Sequence, residues 1–398
     1  MTRTSTPLLE RAEALAPELV ALRRDIHRHP ELRFQEHRTA GVVVQALEGA
    51  GYALRTEVGR TGVVAEISSG PGPTVALRAD MDALPILEAN EVEYASEYPG
   101  VMHACGHDAH TAGLIGAARL LSAAIAEGDF PSGTLRLLFQ PSEEGMDQEG
   151  KSGATRMIDD GAMDGVDAVI GLHVAPHFPA GTLYLREGPA MAGSDELLVD
   201  VRGRSAHAAR PDEGVDALLL SAYGLVAAQQ AVSRKLSPMD NGVVSFGTIA
   251  GGSAPNVLAE QVAVQGTLRY FTDAVRERLH AGVRGAFAGL EAMGGMVHVD
   301  IRSGYPPVVN DPAISALLQD AFQGLVGPER VGDAAPWMGA EDFAILAREA
   351  PGCFFWLGAA LPDPRELHHP RFDIDESVLP LGAAAMVAGA RTLLERLR

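Results

Sequence analysis

Four times in this chain a short apolar run, readable as a β-strand, ends at a side chain of the kind that binds metals or moves protons. Thr74 to Arg78 runs into Asp80-Met81-Asp82, and Gly133 to Gln140 is followed at once by Pro141-Ser142-Glu143-Glu144-Gly145. Asp167 to Gly171 precedes Leu172-His173, and Cys353 to Gly358 leads, after a loop, to His368-His369-Pro370. Helical segments separate these runs. Strands alternating with helices predict an α/β fold with a mostly parallel sheet flanked by helices, and such sheets bind ligands beyond the carboxyl ends of their strands. Asp80, Asp82, Glu143, Glu144, His173 and His368 are therefore expected along one rim. Any one of them alone reads more simply as a solvated or satisfied polar group; five or more placed alike do not.

The densest stretch, Met102 to Thr111 (Met-His-Ala-Cys-Gly-His-Asp-Ala-His-Thr), belongs on the same rim. Cys105 and His107 stand two apart, able to point a thiolate and an imidazole at one metal, with Gly106 letting the backbone bend between them. The apolar run Ala112 to Leu121 reads as a helix, so the cluster sits at a helix start. By itself a Cys-x-His reads as a buried thiol and a helix-capping imidazole, since short motifs match by chance. The convergence of the other strand ends favours a metal.

Composition excludes several classes. With 398 residues and 46% hydrophobic content, one large or two ordinary domains can bury a core. A net charge of −20 repels nucleic acid and anionic membrane surfaces. The first residues, Met-Thr-Arg-Thr-Ser-Thr-Pro, lack a basic region followed by an apolar one, and no apolar run reaches spanning length, which reads as a cytoplasmic protein without a membrane partner. Two cysteines, Cys105 and Cys353, provide no disulfide framework, so the Cys105 thiol is free for a metal.

Leu8 to Ile26 reads as a helix that exits at His27-Arg28-His29-Pro30-Glu31, with structural histidines; a second helix spans about Gln35 to Leu47, and Gly62 to Ile67 is a further strand. Between Met191 and Ile301 the order becomes strand (196–202), helix (215–232), strand (242–249), strand (261–271), helix (272–293), strand (296–301), which is the ferredoxin-like order. The expected organisation is a metal-binding domain in two parts, 1–189 and 304–398, with an inserted α+β lid or dimerisation domain over 190–303.

A borderline metal such as zinc accepts Cys, His and carboxylate together, and two such ions ~3.5–4 Å apart can hold a shared water as hydroxide near neutral pH. Cys105, His107, Glu144, His173 and His368 are enough donors for two ions with open positions. The doubled Glu is informative: one carboxylate can bind metal while its neighbour takes a proton from water and passes it to a leaving group. A random Glu-Glu pair is more often an exposed turn, but this one lies between a buried strand and a glycine.

At this point the chain resembles the two-metal amidohydrolases that include hippurate hydrolase, bacterial N-acyl-amino-acid amidohydrolases and plant auxin-conjugate hydrolases. The resemblance spans nearly the whole chain and rests on His27 to Glu31, Leu77 to Pro85, His103 to His110, Gln140 to Gly145, Gly171 to Val174, Gly203 to Pro211, Gly339 to Phe343 and His368 to Pro370. It implies a zinc-exopeptidase-like fold and two divalent ions, Zn2+ or Mn2+ with Co2+ or Ni2+ as alternatives. It also implies Cys105, His107, Glu144, His173 and His368 as ligands, and Glu143 as general base and acid on the attacking water. Asp82 matches a carboxylate that orients a ligand. Asp80 lies where more distant relatives have a metal-binding His. In Gly203-Arg204-Ser205-Ala206-His207, the resemblance implies that His207, otherwise an exposed loop His, stabilises the oxyanion from its own or a partner subunit. Asn256 and Arg269 match substrate-contacting positions, Arg suiting a free carboxylate. Ser142 departs from the family's usual Ala, and Asp147 to Ser152 is slightly longer than usual.

The expected reaction is hydrolysis of N-acyl amino acids by a homodimer or tetramer assembled through the inserted domain, which closes to exclude water. Two rivals stand beside it. One is a dipeptidase or aminopeptidase on the same scaffold, which needs an acidic anchor for a free amine that the sequence does not identify. The other is a non-catalytic metal- or ligand-binding protein, which has no use for an unliganded base at Glu143.

Overall fold

A strand buried on both faces is apolar along nearly its whole length, and two runs fit this, with His173 the one polar exception. Ala168–Ala175 and Gly352–Gly358 have every residue buried in the computed structural model, which describes residues 7–363 and 365–397. In chain order the strands are β1 (Ala53–Val58), β2 (Gly62–Ser68), β3 (Thr74–Asp80), β4 (Thr134–Gln140), β5 (Ala168–Ala175), β6 (Leu183–Leu185) and β7 (Gly188–Met191). They continue with β8 (Gly193–Arg202), β9 (Gly242–Gly251), β10 (Gln261–Tyr270), β11 (Met296–Ser303), β12 (Val308–Asn310), β13 (Val331–Asp333) and β14 (Gly352–Gly358).

The residues cluster into two compact units. One comprises the described residues up to Ala190, Val309–Ala335 and the described residues from Asp342 onward; the other comprises Met191–Val308 and Pro336–Glu341.

In the first unit eight strands form one sheet in the order β1-β2-β4-β3-β5-β14-β6-β13. Its centre, β4-β3-β5-β14, is parallel, whereas β1 with β2, β2 with β4 and β14 with β6 are antiparallel. The mostly parallel core therefore carries antiparallel flanks. The short strands β1, β6 and β13, without a sequence signal of their own, complete the edges. The helices His107–Ala126 and Leu379–Arg396 pack on this sheet and on each other, and Leu19, Leu114, Leu121, Phe139, Ile170, Phe355 and Leu393 belong to one core.

Local differences from the sequence reading have local causes. The expected first helix is two, Pro7–Glu13 and Ala16–Arg28, because Pro17 lacks an N–H and is tolerated only in a first helical turn. The 215–232 helix is likewise divided, at Gln229. His107–Ala126 and Glu376–Arg396 are long and apolar enough to cross a bilayer by length and composition, contrary to the expectation that no run is. Both lie mostly buried in the core of the unit.

In the second unit β8, β9, β10 and β11 form an antiparallel sheet in the order β11-β8-β10-β9. Helices Ala217–Ala228 and Asp273–Ala288 supply Leu220, Val283 and Phe287 to its core. This is the ferredoxin-like arrangement. Side-chain caps start both helices, Asp216 accepting from the amides of Leu218 and Leu219 and Thr272 from that of Val275.

Candidate active site

Each chemistry-bearing side chain of the first unit is placed by a strand end or a helix start. Gly106 caps the helix His107–Ala126 with φ 91°, in the left-handed region, and a Cβ there would lie 2.4 Å from Val174 Cγ2. The glycine therefore lets Cys105 and His107 turn in beneath β5. Both are buried. His107 Nδ1 is held by the Asp82 backbone oxygen at 2.8 Å and by Asp82 Oδ1 at 3.1 Å, which leaves Nε2 to face the site.

Beyond β4 the chain makes a tight turn. Ser142 adopts φ 45°, and the next two backbone N–H groups, of Glu143 and Glu144, donate to Asp82 Oδ1 and Oδ2 at 3.1 and 3.0 Å. One carboxylate thus fixes both the His107 ring and the double-Glu turn. His173, near the end of β5, donates Nδ1–H to the Val174 carbonyl at 2.7 Å and brings Nε2 to 3.3 Å from Cys105 Sγ. His368 has φ 61°; its amide donates to the Ala104 carbonyl at 2.7 Å, and its Nε2 lies 3.0 Å from Glu144 Oε1. His369 turns away and accepts the Arg371 amide on Nδ1.

Three sets of donor atoms lie within 4.8 Å of one another: Cys105, His107 and His173; Cys105, Glu144 and His368; His107, Glu143 and Glu144. The first two share Cys105. A fourth set, Asp80, His107 and His110, lies at the end of β3. Asp80 is already engaged, accepting from Arg78 Nη1 at 2.7 Å and from His110 Nδ1 at 2.5 Å.

The donor set fits divalent cations on two counts. Among the described residues His107 Nε2 is buried without a hydrogen-bond partner, an orphan that a metal bond would satisfy. The electrostatics are those of a cation site. Burial pushes the Cys105 thiol well up, and the carboxylates of Glu144, Glu143 and Asp80 push it further. Burial opposes charge on His107, but Asp80, Asp82 and Glu144 outweigh it and raise its pKa to about 10. His173, by contrast, is held well below its ordinary value by burial and by the neighbouring His110 and His107.

The second unit holds the other three residues singled out in the sequence. His207 is exposed and accepts the Ala209 amide on Nδ1 at 3.0 Å, which places its proton on Nε2 as a free donor. Asn256 is its neighbour: the Ala208 amide donates to the Asn256 carbonyl at 3.0 Å, and His207 bridges Val257. Arg269 lies apart on β10, opposite Ser194 and Val243. Among the described residues its guanidinium has no acidic partner, and burial lowers its pKa.

Two residues that the sequence reading passed over reach the site. Glu36, the residue before helix His37–Leu47, is fully buried and accepts the Ser142 amide at 2.9 Å. His110, quoted within the motif but given no role, joins Asp80 to the Val174 amide, which donates to its Nε2 at 2.9 Å. The polar start Gln35-Glu36-His37-Arg38 looks like any exposed helix entry, so only the fold reveals Glu36.

Comparison with known proteins agrees with this geometry. Residues 76–392 match the model of peptidase family M20/M25/M40. The chain is 39% identical over 383 residues to the N-acetyl-L-cysteine deacetylase of Bacillus subtilis, covering 96% of this chain and 89% of that protein. It is 37% identical over 374 residues to thermostable carboxypeptidase 2 of Saccharolobus solfataricus, covering 92% and 93%. Among solved structures, a dinuclear metal binding peptidase of the M20 family from Bacillus subtilis superposes with a TM-score of 0.80 at 33% identity, covering 96% of this chain and 99% of that one. The chain belongs to the peptidase family M20/M25/M40 and is a metal-dependent hydrolase of amide bonds.

Proposed function

We propose that the protein hydrolyses the amide bond of N-acyl amino acids, releasing a carboxylic acid and a free amino acid. The observation that carries this reading is the sharing of Cys105 between two donor sets, with Glu143 and Glu144 side by side on the turn held by Asp82. Cys105, His107, Glu144, His173 and His368 would hold two divalent ions, a number supported by the likeness to the dinuclear metal binding peptidase of Bacillus subtilis. Zinc or manganese suits this mixed donor set, with cobalt or nickel as alternatives. Such ions, when bound, supply Lewis acidity and make water acidic enough to ionise near neutral pH.

The chain's own residues supply the rest. Glu143 takes the proton of the attacking water and returns it to the leaving nitrogen. Asp82 keeps the His107 ring and the Glu143 backbone in register with each other. His207 presents Nε2–H to the oxyanion, in its own or a partner subunit, and Asn256 lies beside it on the same loop pair. Arg269, without an acidic partner among the described residues, suits the free carboxylate of the amino-acid product. Leu219, Tyr223 and Val226 are exposed along one helix of the second unit and Ile249 on its edge strand β9, which supports assembly of copies through this unit.

A second reading, cleavage of C-terminal residues from short peptides, is favoured by the carboxypeptidase relative. Both readings leave a free carboxylate on the departing amino acid. They separate in an amine-release panel of N-acetyl, N-benzoyl and longer N-acyl amino acids beside free dipeptides, with manganese or zinc added and Glu143→Gln as control. Release from acylated substrates alone supports the first reading. Release from dipeptides alone moves the function to the second, and silence across the panel with metal bound refutes both.

A further inference from the structure

Three consecutive backbone N–H groups, of Ser142, Glu143 and Glu144, point inward at two buried carboxylates from different elements. Asp82, just past β3, takes the second and third at 3.1 and 3.0 Å. Glu36, at the entry of helix His37–Leu47, takes the first at 2.9 Å. The same oxygen, Glu36 Oε1, also accepts the Phe34 amide at 2.9 Å, while Oε2 accepts the Thr61 hydroxyl at 2.5 Å. Phe34 and Ser142 both have left-handed backbones, with φ 56° and 45°. Such backbones are strained for residues other than glycine and persist only where their surroundings over-determine them. Here one carboxylate oxygen ties the two strained turns together.

We infer that Glu36 is a positioning residue for the catalytic turn, holding Glu143 at its working distance through the Ser142 amide. This rests on the reading of Glu143 as the base. What matters on Glu36 is an acceptor at the Oε1 position rather than a negative charge. Oε1 accepts the Ser142 and Phe34 amides, and Oε2 accepts from a hydroxyl, which can donate or accept. A glutamine can therefore do the same work, its amide oxygen facing Ser142 and Phe34 and its NH2 facing Thr61. An aspartate keeps the charge, but its shorter stem withdraws the oxygen from the turn.

The test compares the metal-loaded Glu36→Gln, Glu36→Asp and Glu36→Ala proteins with wild type and with Glu143→Gln. It reads kcat and KM on the N-acyl amino acid best cleaved by wild type, metal content, and hydrogen exchange of the 141–145 backbone. Since misplacement by about 1 Å can cost ~100-fold, Glu36→Ala should lose ~100-fold and Glu36→Asp ~10-fold in kcat. KM and metal content should hold, and exchange at 141–145 should quicken. Glu36→Gln should stay within about fivefold of wild type. A role resting on charge gives the reverse order, with Asp above Gln, and overturns the inference. So does a Glu36→Asp protein as fast as wild type, or unchanged exchange at 141–145, and this arm stands if the alanine variant does not fold. An active Glu143→Gln protein would sink the reading of the base instead, and is recognised separately.

Discussion

The Nε2 atom of His110, on the helix His107–Ala126, accepts the backbone N–H of Val174 at 2.9 Å, at a point on β5 that has already parted from β3. The β3–β5 ladder pairs only as far as Arg78 with Gly171. Beyond it the strands part, and the His110 ring fills the gap, its Nδ1–H on Asp80 and its Nε2 on Val174. Accepting an amide hydrogen requires a neutral ring with its proton on Nδ1. Burial lowers the pKa of His110 despite Asp80 beside it, in keeping with that state. His110→Ala strands a buried amide and removes a donor from Asp80, which should cost about 2–4 kcal/mol in urea unfolding and weaken metal retention at His173. A loss below about 0.5 kcal/mol would mean that the parted strands need no bridge.

Glu143→Gln should cut turnover by about 10²–10⁴-fold, the usual reach of a positioned proton carrier. Metal content by plasma emission spectroscopy should remain near two ions per chain, since this reading counts Glu143 as a base and not a ligand. Loss of both ions together with activity would merge the two roles.

Asp82→Asn exchanges one accepting oxygen for a donor that faces the amides of Glu143 or Glu144 or the His107 ring. Metal affinity should fall by ~10–100-fold, as when other partners of ligating histidines are removed. Competition with a chromogenic chelator measures this. Unchanged affinity would show that the backbone oxygen of Asp82 alone suffices to orient His107.

Burial, then the nearby Asp82 charge, raise the Glu36 carboxyl to about 7. Because this folded value lies above that of the unfolded chain, the folded protein holds an extra proton between about pH 4.5 and 7. The associated stability is complete at acid pH and fades as pH rises through 7. Glu36→Gln, which stays neutral, should match wild type near pH 5 and exceed it by up to about 3 kcal/mol near pH 8. Equal unfolding free energies of the two proteins at both pH values would place the Glu36 pKa in the ordinary carboxylate range.

The parallel core and the ferredoxin-like unit were legible because their patterns are strong. β14 is apolar throughout and β5 at every position but His173, and the helices of the second unit begin at Asp216 and Thr272 with clear caps. The grouping of Cys105, His107, Glu144, His173 and His368 could be anticipated because parallel strands end on one side. Glu36 and His110 could not. Glu36 acts through a left-handed turn more than a hundred residues away, and His110 acts by filling a gap that exists only once β3 and β5 diverge. The outer strands β1 and β13 and the short β6 between β14 and β13 escaped notice for a plainer reason: each is short or half-exposed and draws its register from a neighbour.

Arg23, fully buried in the second helix, binds Asp108 at 2.8 Å, Asp373 at 2.9 Å and Glu376 at 3.1 Å. Two of these partners lie some 350 residues downstream. During synthesis the N-terminal helices and Asp108 leave the ribosome long before Asp373 and Glu376, and the whole of the second unit is made in between. The intervening unit can complete its own sheet first, while the first unit closes only when the last hundred residues arrive. A chain ending just after Ser303 would therefore hold all four strands of the antiparallel sheet and, upstream of it, a half-sheet whose buried Arg23 has Asp108 but still lacks Asp373 and Glu376.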